Sequence, residues 1–368
     1  MRIALEDGFA VEKGTGIGQY TLNLSRRLGA FPEIESIHLI EKPFLSKVPS
    51  AALRRILYIA WLNSKLQLLL RREKVDIVHF TNYLVPTLRF SNAKYVVTIY
   101  DLTAWRFPET LPPAYIAYIK GAVSHAVKAA DLIFTLSDAV KREIIELFEI
   151  DSERIRTVYS GIAQSFWEAP KKRPSELRAI RDKYGISQDF LLFIGVIEKR
   201  KNVITLVKAF EILMDRMDLQ LVLVGRPGYG FRKVEKYIRE NHLRGKVILT
   251  GYVSEEEKLA LYDSATLFVY PSLYEGFGIP LVEAMVRKVP IVASKIPSTE
   301  EVAGEAAIYY EDLLNHEALA ERILELIKND VLRQDLVEKG LKRACDFSWE
   351  KVSKRHLQAY RELLEVSK

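Results

Sequence analysis

Twelve short apolar runs, separated almost throughout by segments of helical spacing, constrain the fold of this 368-residue chain more than any other feature. The first six fall near residues 2–5, 36–40, 77–80, 95–99, 132–136 and 155–159. The second six fall near 190–194, 219–224, 246–250, 266–270, 291–294 and 306–309. Strands that alternate with helices make parallel sheets, buried on both faces. The length exceeds what one ordinary core serves, so the reading is α/β with two doubly wound domains whose strand C-termini meet at a cleft. The boundary is expected within 161–174, where Pro170 and Pro174 flank Lys171-Lys172-Arg173. This gives domains at 1–166 and 167–346, followed by a closing segment, 347–368, with a helix from Trp349 to about Val366.

Composition narrows the class. Apolar residues make up 49% and charged residues 28%, as in globular proteins. One cysteine, Cys345, leaves no intramolecular disulfide and points to a reducing, cytoplasmic compartment. Met1-Arg-Ile-Ala-Leu5 reads as a strand rather than a signal peptide, and no apolar run is long enough to span a bilayer. The net charge of +6 is uneven: 46–74 holds seven cations against Glu73 alone, interleaved with Leu53, Ile56, Leu57, Ile59, Trp61 and Leu68–Leu70. Two readings of this amphipathic basic helix or helix pair stand open. It docks on an anionic membrane at its inner face, or it covers the sheet with solvated cations outward. Nucleic-acid binding is disfavoured, because no aromatic residues interleave with the cations in a groove-like pattern.

The chemistry concentrates in 270–285, Tyr-Pro-Ser-Leu-Tyr-Glu-Gly-Phe-Gly-Ile-Pro-Leu-Val-Glu-Ala-Met. A buried strand precedes it, and Pro280 stands where a helix begins. A strand running through a Gly-containing turn into a helix start presents free amides and a positive dipole end to an anion. Glu275 and Glu283, eight residues apart, suit a ligand that carries hydroxyls as well as phosphate, because a carboxylate can accept two hydroxyl hydrogen bonds. A nucleotide sugar is such a ligand. The segment 194–202, Ile-Gly-Val-Ile-Glu-Lys-Arg-Lys-Asn, follows the first strand of the second half and places three cations before a helix start, where an anionic ligand would compensate them. A third segment, Gly14-Thr-Gly-Ile-Gly-Gln-Tyr20, lies between the first strand and first helix; its spacing is not that of a dinucleotide fingerprint.

These segments resemble the retaining, nucleotide-sugar-dependent glycosyltransferases of family 4, or glycosyl transferases group 1, which have the GT-B fold of two Rossmann-like domains facing across a cleft. The 275–283 segment resembles the family's E-x7-E signature. This implies that Glu275 contacts the donor sugar and Glu283 the ribose, with Gly276, Phe277, Gly278, Ile279 and Leu281 on the donor side. The 198–202 segment resembles its E-x-R-K-N element and assigns the phosphates to Arg200 and Lys201. Arg200, Lys201 and Glu275 are thus the catalytic candidates. Some relatives carry an arginine directly after the glycine matching Gly195; here Val196 stands there. Gly195 and Gly16 are expected beside the phosphates, and Gly225 and Tyr252 beside the base. On the acceptor side the resemblance places His79, Asn82, Tyr100 and Asp101. Tyr100 occupies a position where many relatives have histidine and cannot act as a near-neutral base. As a lone histidine His79 reads more readily as structural, and Asp101 is equally readable as a helix cap.

The resulting expectation is a retaining, metal-independent hexosyltransferase without cofactor. It moves a mannose- or glucose-type sugar from a GDP- or UDP-sugar to a glycan or lipid-linked acceptor in cell-envelope polysaccharide or glycolipid synthesis. The alternative is a non-catalytic sugar-nucleotide-binding partner of a polysaccharide assembly complex. A sugar-nucleotide epimerase or a phosphorylase is a more distant rival.

Overall fold

The computed structural model describes residues 1–6, 16–40, 45 and 47–365. Gly14 and Thr15 of the glycine-rich segment lie outside the described residues. Two compact units emerge: Met1–Ala104, Ala114–Gly161 and Ser348–Lys368 form the first, and Trp105–Pro113 with Ile162–Phe347 the second.

The first unit contains β1 (Arg2–Glu6), α1 (Gly16–Leu28), β2 (Ser36–Leu39), α2 (Ala51–Leu62), α3 (Lys65–Arg72), β3 (Ile77–Phe80) and β4 (Lys94–Ile99). After the short α4 (Thr103–Arg106), which the division cuts, come α5 (Pro113–Ala129), β5 (Leu132–Thr135), α6 (Asp138–Phe148) and β6 (Ile155–Thr157). The second unit contains α7 (Gln164–Glu168), α8 (Pro174–Tyr184), β7 (Asp189–Ile194), α9 (Val203–Met214), β8 (Leu219–Val224), α10 (Phe231–Glu240) and β9 (Val247–Gly251). It continues through α11 (Glu255–Ser264), β10 (Leu267–Tyr270), α12 (Ile279–Val286), β11 (Ile291–Ser294), α13 (Pro297–Ala303), β12 (Ala307–Tyr310), α14 (His316–Lys328) and α15 (Asp330–Ala344). The last helix, α16 (Trp349–Glu365), belongs with the first unit.

All twelve expected strands form, with ends shifted by at most two residues. Each unit has one six-stranded sheet, ordered β2-β1-β3-β4-β5-β6 and β12-β11-β10-β7-β8-β9, and every pairing is parallel. The apolar runs are therefore buried on both faces, as Phe190–Phe193 and Leu267–Tyr270 are. In the second sheet the strand order reverses between β7 and β10, where Leu191 pairs with Leu267 and Leu192 with Phe268. At such a switch point the loops after the two strands diverge and leave a crevice at their carboxyl ends.

The first unit is sewn to α16 by buried polar contacts. His79 meets the Tyr360 hydroxyl through Nδ1 and Thr98 Oγ1 through Nε2, both at 2.7 Å. His356 Nδ1 lies 2.9 Å from the Val352 carbonyl, which fixes the proton there and leaves Nε2 to accept from Tyr20 at 2.7 Å. Burial holds both imidazoles neutral, His356 at about 4.

In the second unit Arg287, at the end of α12, forms a bidentate pair with Asp263 of α11 at 2.6 and 2.8 Å. Its other guanidinium nitrogen donates to the Ala169 carbonyl at 2.8 Å, and the Lys172 amide donates to Asp263 at 3.0 Å. Residues 166–172 are thereby fastened to the end of the α12 layer. Burial alone would raise the Asp263 carboxyl, yet these bonds and the Lys171 charge leave it below its ordinary value. Arg287→Ala leaves the buried Asp263 carboxylate with only the Lys172 amide and Lys171, and is expected to destabilise the second unit by about 3 kcal/mol in urea unfolding. Replacing both partners with apolar residues of similar volume should cost much less.

Candidate active site

The crevice at the β7–β10 switch point gathers the two sequence segments that carry charge. β7 ends at Ile194 and leads into Gly195–Asn202; β10 ends at Tyr270 and leads into 271–278. Because the strands are neighbours, residues some seventy-five positions apart meet. Lys199–Lys201 make one 3-10 turn, and the Arg200 carbonyl accepts from the Leu273 amide at 2.9 Å, which joins the two loops through their backbones.

Their side chains form a charge-balanced cluster in which Lys201 and Glu275 are buried and Arg200 and Glu198 half-buried. Lys201 Nζ donates to Glu275 Oε1 at 2.5 Å and to the Tyr270 hydroxyl at 3.1 Å. Arg200 Nη1 donates to Glu275 Oε2 and to the Tyr274 carbonyl, both at 2.8 Å, while Nη2 donates to Glu198 Oε1 at 2.8 Å. Burial pushes the Glu275 carboxyl up, but Arg200 and Lys201 overcome this and hold it at about 2. Burial lowers the Lys201 ammonium, and the Glu275 charge restores only part of the loss. Two basic and two acidic side chains therefore meet at the strand ends, and the Glu275 carboxylate is held ionised by the cations it faces.

Two glycines shape the approach. Gly278 precedes α12 at φ +104°, and a Cβ there would lie 3.1 Å from Leu281 Cδ1. Gly225, after β8 at φ +142°, has no room at all: a Cβ would stand 1.9 Å from the Gly195 carbonyl oxygen. The β7 and β8 loops thus run in backbone contact. α12 starts at Ile279, one residue before the expected proline start, and no side chain caps it. Pro280 still falls in the first turn, where its missing N–H costs no helical bond.

Glu283, on α12, is buried and held by Lys258 Nζ at 2.6 Å and the Tyr262 hydroxyl at 3.0 Å, both from α11. Phe277 and Leu281 do not present side chains to a ligand. The Phe277 ring packs edge-on against Phe347 with centroids 5.5 Å apart, and Leu281 is fully buried beneath Gly278. Gly276 is buried, Ile279 half-buried, and Tyr252 stands 84% exposed after β9.

The acceptor-side candidates of the first unit separate. His79 is fully buried with both ring nitrogens engaged, so its role is to join β3 and β4 to α16; the acceptor contact is withdrawn. Asn82 is buried too: its Oδ1 accepts from the Leu84 amide at 2.6 Å and its Nδ2 reaches Glu6 at 3.4 Å. Tyr100 donates to the Thr81 carbonyl at 2.9 Å, and Asp101 accepts from the Thr103 amide and hydroxyl, capping α4. Gly16 opens α1, is exposed, and has open space around it.

Comparison with known proteins fits this geometry. The model "Glycosyltransferase Family 4" matches residues 14–166 and "Glycosyl transferases group 1" matches 178–343. The O-antigen chain mannosyltransferase B of Escherichia coli is 32% identical over 372 residues, 94% of this chain and 96% of that protein. The chain belongs to the group 1 glycosyl transferases. Among solved structures, sucrose-phosphate synthase from Thermosynechococcus elongatus superposes with a TM-score of 0.80 at 18% identity, covering 100% of both chains. Anabaena HepE in complex with UDP-glucose gives 0.74 at 16% identity, also over 100% of both. The fold is therefore that of the GT-B glycosyltransferases, and the protein is a glycosyltransferase. Every member of the charged cluster, and Glu283, lies within the group 1 match.

Sequence reading assigned no role to Glu198, Lys258, Tyr262 or Tyr270. Lys258 and Tyr262 lie four apart on one face of α11, a visible spacing, but only the packing of α11 on α12 shows what that face meets. Since the Glu275 carboxyl is held below its ordinary 4.5, its contribution to stability is complete above that value and disappears as pH falls through about 2. Wild-type protein should therefore lose stability between pH 4.5 and 2 more steeply than Glu275→Gln, which is less stable at neutral pH but flatter across that window. Equal slopes in paired denaturation series would refute the buried ionised pair.

Proposed function

We propose that this glycosyltransferase moves a hexosyl group, of mannose or glucose type, from a nucleoside diphosphate sugar to a glycan or lipid-linked acceptor, with retention of anomeric configuration. The observation that carries the reading is the Arg200–Lys201–Glu275 cluster at the switch point of the second unit. As the bond from the anomeric carbon to the phosphate oxygen breaks, negative charge grows on the diphosphate. Two cations already dehydrated and aimed by loop geometry stabilise that charge with little reorganisation. In this reading they fill the electrostatic role a divalent ion plays elsewhere, and the reaction needs no metal.

Glu275 then exchanges part of its hold on Arg200 and Lys201 for the hydroxyls of the sugar, while the amino-terminal end of α12, which no side chain caps, faces the phosphates. Glu283, with lone pairs left beyond Lys258 and Tyr262, takes the ribose hydroxyls. The acceptor hydroxyl attacks the anomeric carbon on the face the phosphate leaves. Its proton passes to a departing phosphate oxygen, so one carbon–oxygen bond replaces another and the nucleoside diphosphate is released. The first unit supplies the acceptor surface.

The name of the Escherichia coli relative supports a mannosyl donor and an O-antigen-like polysaccharide product. The Anabaena structure, solved with UDP-glucose, supports a nucleotide sugar as donor. Glu275→Ala and Lys201→Ala are each expected to lower kcat/KM about a hundredfold or more in a transfer assay. Glu283→Ala should chiefly weaken the donor, measured as a smaller thermal shift with GDP- or UDP-sugars, and EDTA should change neither result. Donor binding without turnover by wild-type protein toward any acceptor would favour the non-catalytic partner instead.

A further inference from the structure

The structure assigns a membrane-docking face to the first unit, built from α2, α3 and the 87–90 loop, whose occupant is an anionic phospholipid surface. The inference is independent of the proposed donor and acceptor. α2 is apolar on two sides. Tyr58, Trp61 and Leu62 point into the unit, whereas Leu53, Ile56, Leu57 and Ala60, at helical i, i+3, i+4, i+7 spacing, are exposed. On α3 Leu66 and Leu70 are buried, while Leu68 is 67% exposed and Leu69 is exposed beside it.

The loop extends this face, which sequence periodicity did not show. Asn63 Oδ1, just past α2, accepts from the Leu88 amide at 2.7 Å and from the Thr87 hydroxyl at 2.9 Å. Gln67 Oε1, on α3, accepts from the Phe90 amide at 3.0 Å. These bonds hold Leu88 and Phe90 against the helices with their side chains 50% and 58% exposed. Large apolar side chains gathered in this way are uncommon on a surface that meets only water.

Charge selects the occupant. Arg55, Lys65, Arg71, Arg72 and Lys74 are exposed on the same two helices and the turn after them, with Glu73 the one acid of 47–74. A groove of about 710 Å³, lined in part by Arg2, Arg71, Lys74, Lys94 and Phe90, opens at the amino ends of β1 and β4. Its acid, Asp76, already accepts from the Arg2 amide at 2.7 Å. The groove suits a phosphate headgroup at the edge of the apolar face. A second copy of this chain would bring like charges together, whereas anionic lipid neutralises them. No helix among the described residues is long and apolar enough to cross a membrane, so the contact lies on the surface.

The test is cosedimentation with vesicles of phosphatidylcholine alone or mixed with phosphatidylglycerol. Wild-type protein should partition onto the mixed vesicles at low salt and be released by high salt. Ile56→Glu with Leu68→Glu, Phe90→Glu alone, and Arg71→Glu with Lys74→Glu should each lower partition about tenfold or more. All these positions are exposed, and an unchanged thermal melt and unchanged thermal shift with nucleotide sugars would separate this result from misfolding and from failure of the donor site. Absence of binding to mixed vesicles, equal binding to both vesicle types, or binding unaltered in all three variants overturns the proposal. So does a wild-type oligomer that Ile56→Glu dissociates while vesicle binding is absent; the face would then be an interface between copies.

Discussion

The parallel pairing of β7 with β10 is the constraint on which the second unit depends. It joins two strands that are not consecutive in the chain, Leu191 to Leu267 and Leu192 to Phe268, and reverses the direction in which the sheet is built. The hydrogen bonds of this ladder do nothing chemical. Their consequence is positional: the loops after Ile194 and Tyr270 leave the same edge side by side, and no helix can cover the gap between them. Glu198, Arg200, Lys201 and Glu275 occupy that gap. The Gly195–Gly225 backbone contact carries the same logic to β8, where even one methyl group would force the loops apart.

Electrostatics then explains why Lys201 and Glu275 can stay buried. A lone carboxylate or ammonium in such a place would neutralise itself by shifting its pKa. Glu275 remains ionised because two cations face it, and Arg200 is shared with Glu198 as well as Glu275. The cluster is neutral in sum, each cation being matched by a carboxylate. The Arg287–Asp263 pair uses the same physics for another purpose. It is deeply buried and bonded to the backbone of 169 and 172, and serves as a fastening between layers.

Much of this was legible in the chain. The β-branched and aromatic runs announced the strands, most clearly the central ones such as β3, β5, β8 and β10, which are buried on both faces. The strand–glycine–helix grammar of 266–286 announced the donor-side loop, with an error of one residue at the helix start. The acceptor-side assignments fared worse. His79 sits at a strand end like any ligand-facing histidine, but Tyr360, more than two hundred and eighty positions away, claims its ring. Asp101, half-buried, uses Oδ1 to hold the Thr103 amide and hydroxyl at the start of α4, a local use that the preference of aspartate for turns makes common. Phe277 and Leu281 lie in the signature segment, but their side chains pack in the core.

By itself the sequence determined the number and kind of elements, the two-fold repetition of a doubly wound pattern, and the residue types able to meet a phosphorylated sugar. These depend on local periodicity and on backbone chemistry within a few residues, which a linear chain displays directly. Tertiary structure alone decided which charges face which: that Glu275 binds Arg200 and Lys201, that Lys258 and Tyr262 hold Glu283, and that Leu88 and Phe90 join the exposed face of α2 and α3. Such partnerships arise from strand order and helix packing, and strand order in a parallel sheet is set by crossovers whose ends may pair far from their neighbours in the chain.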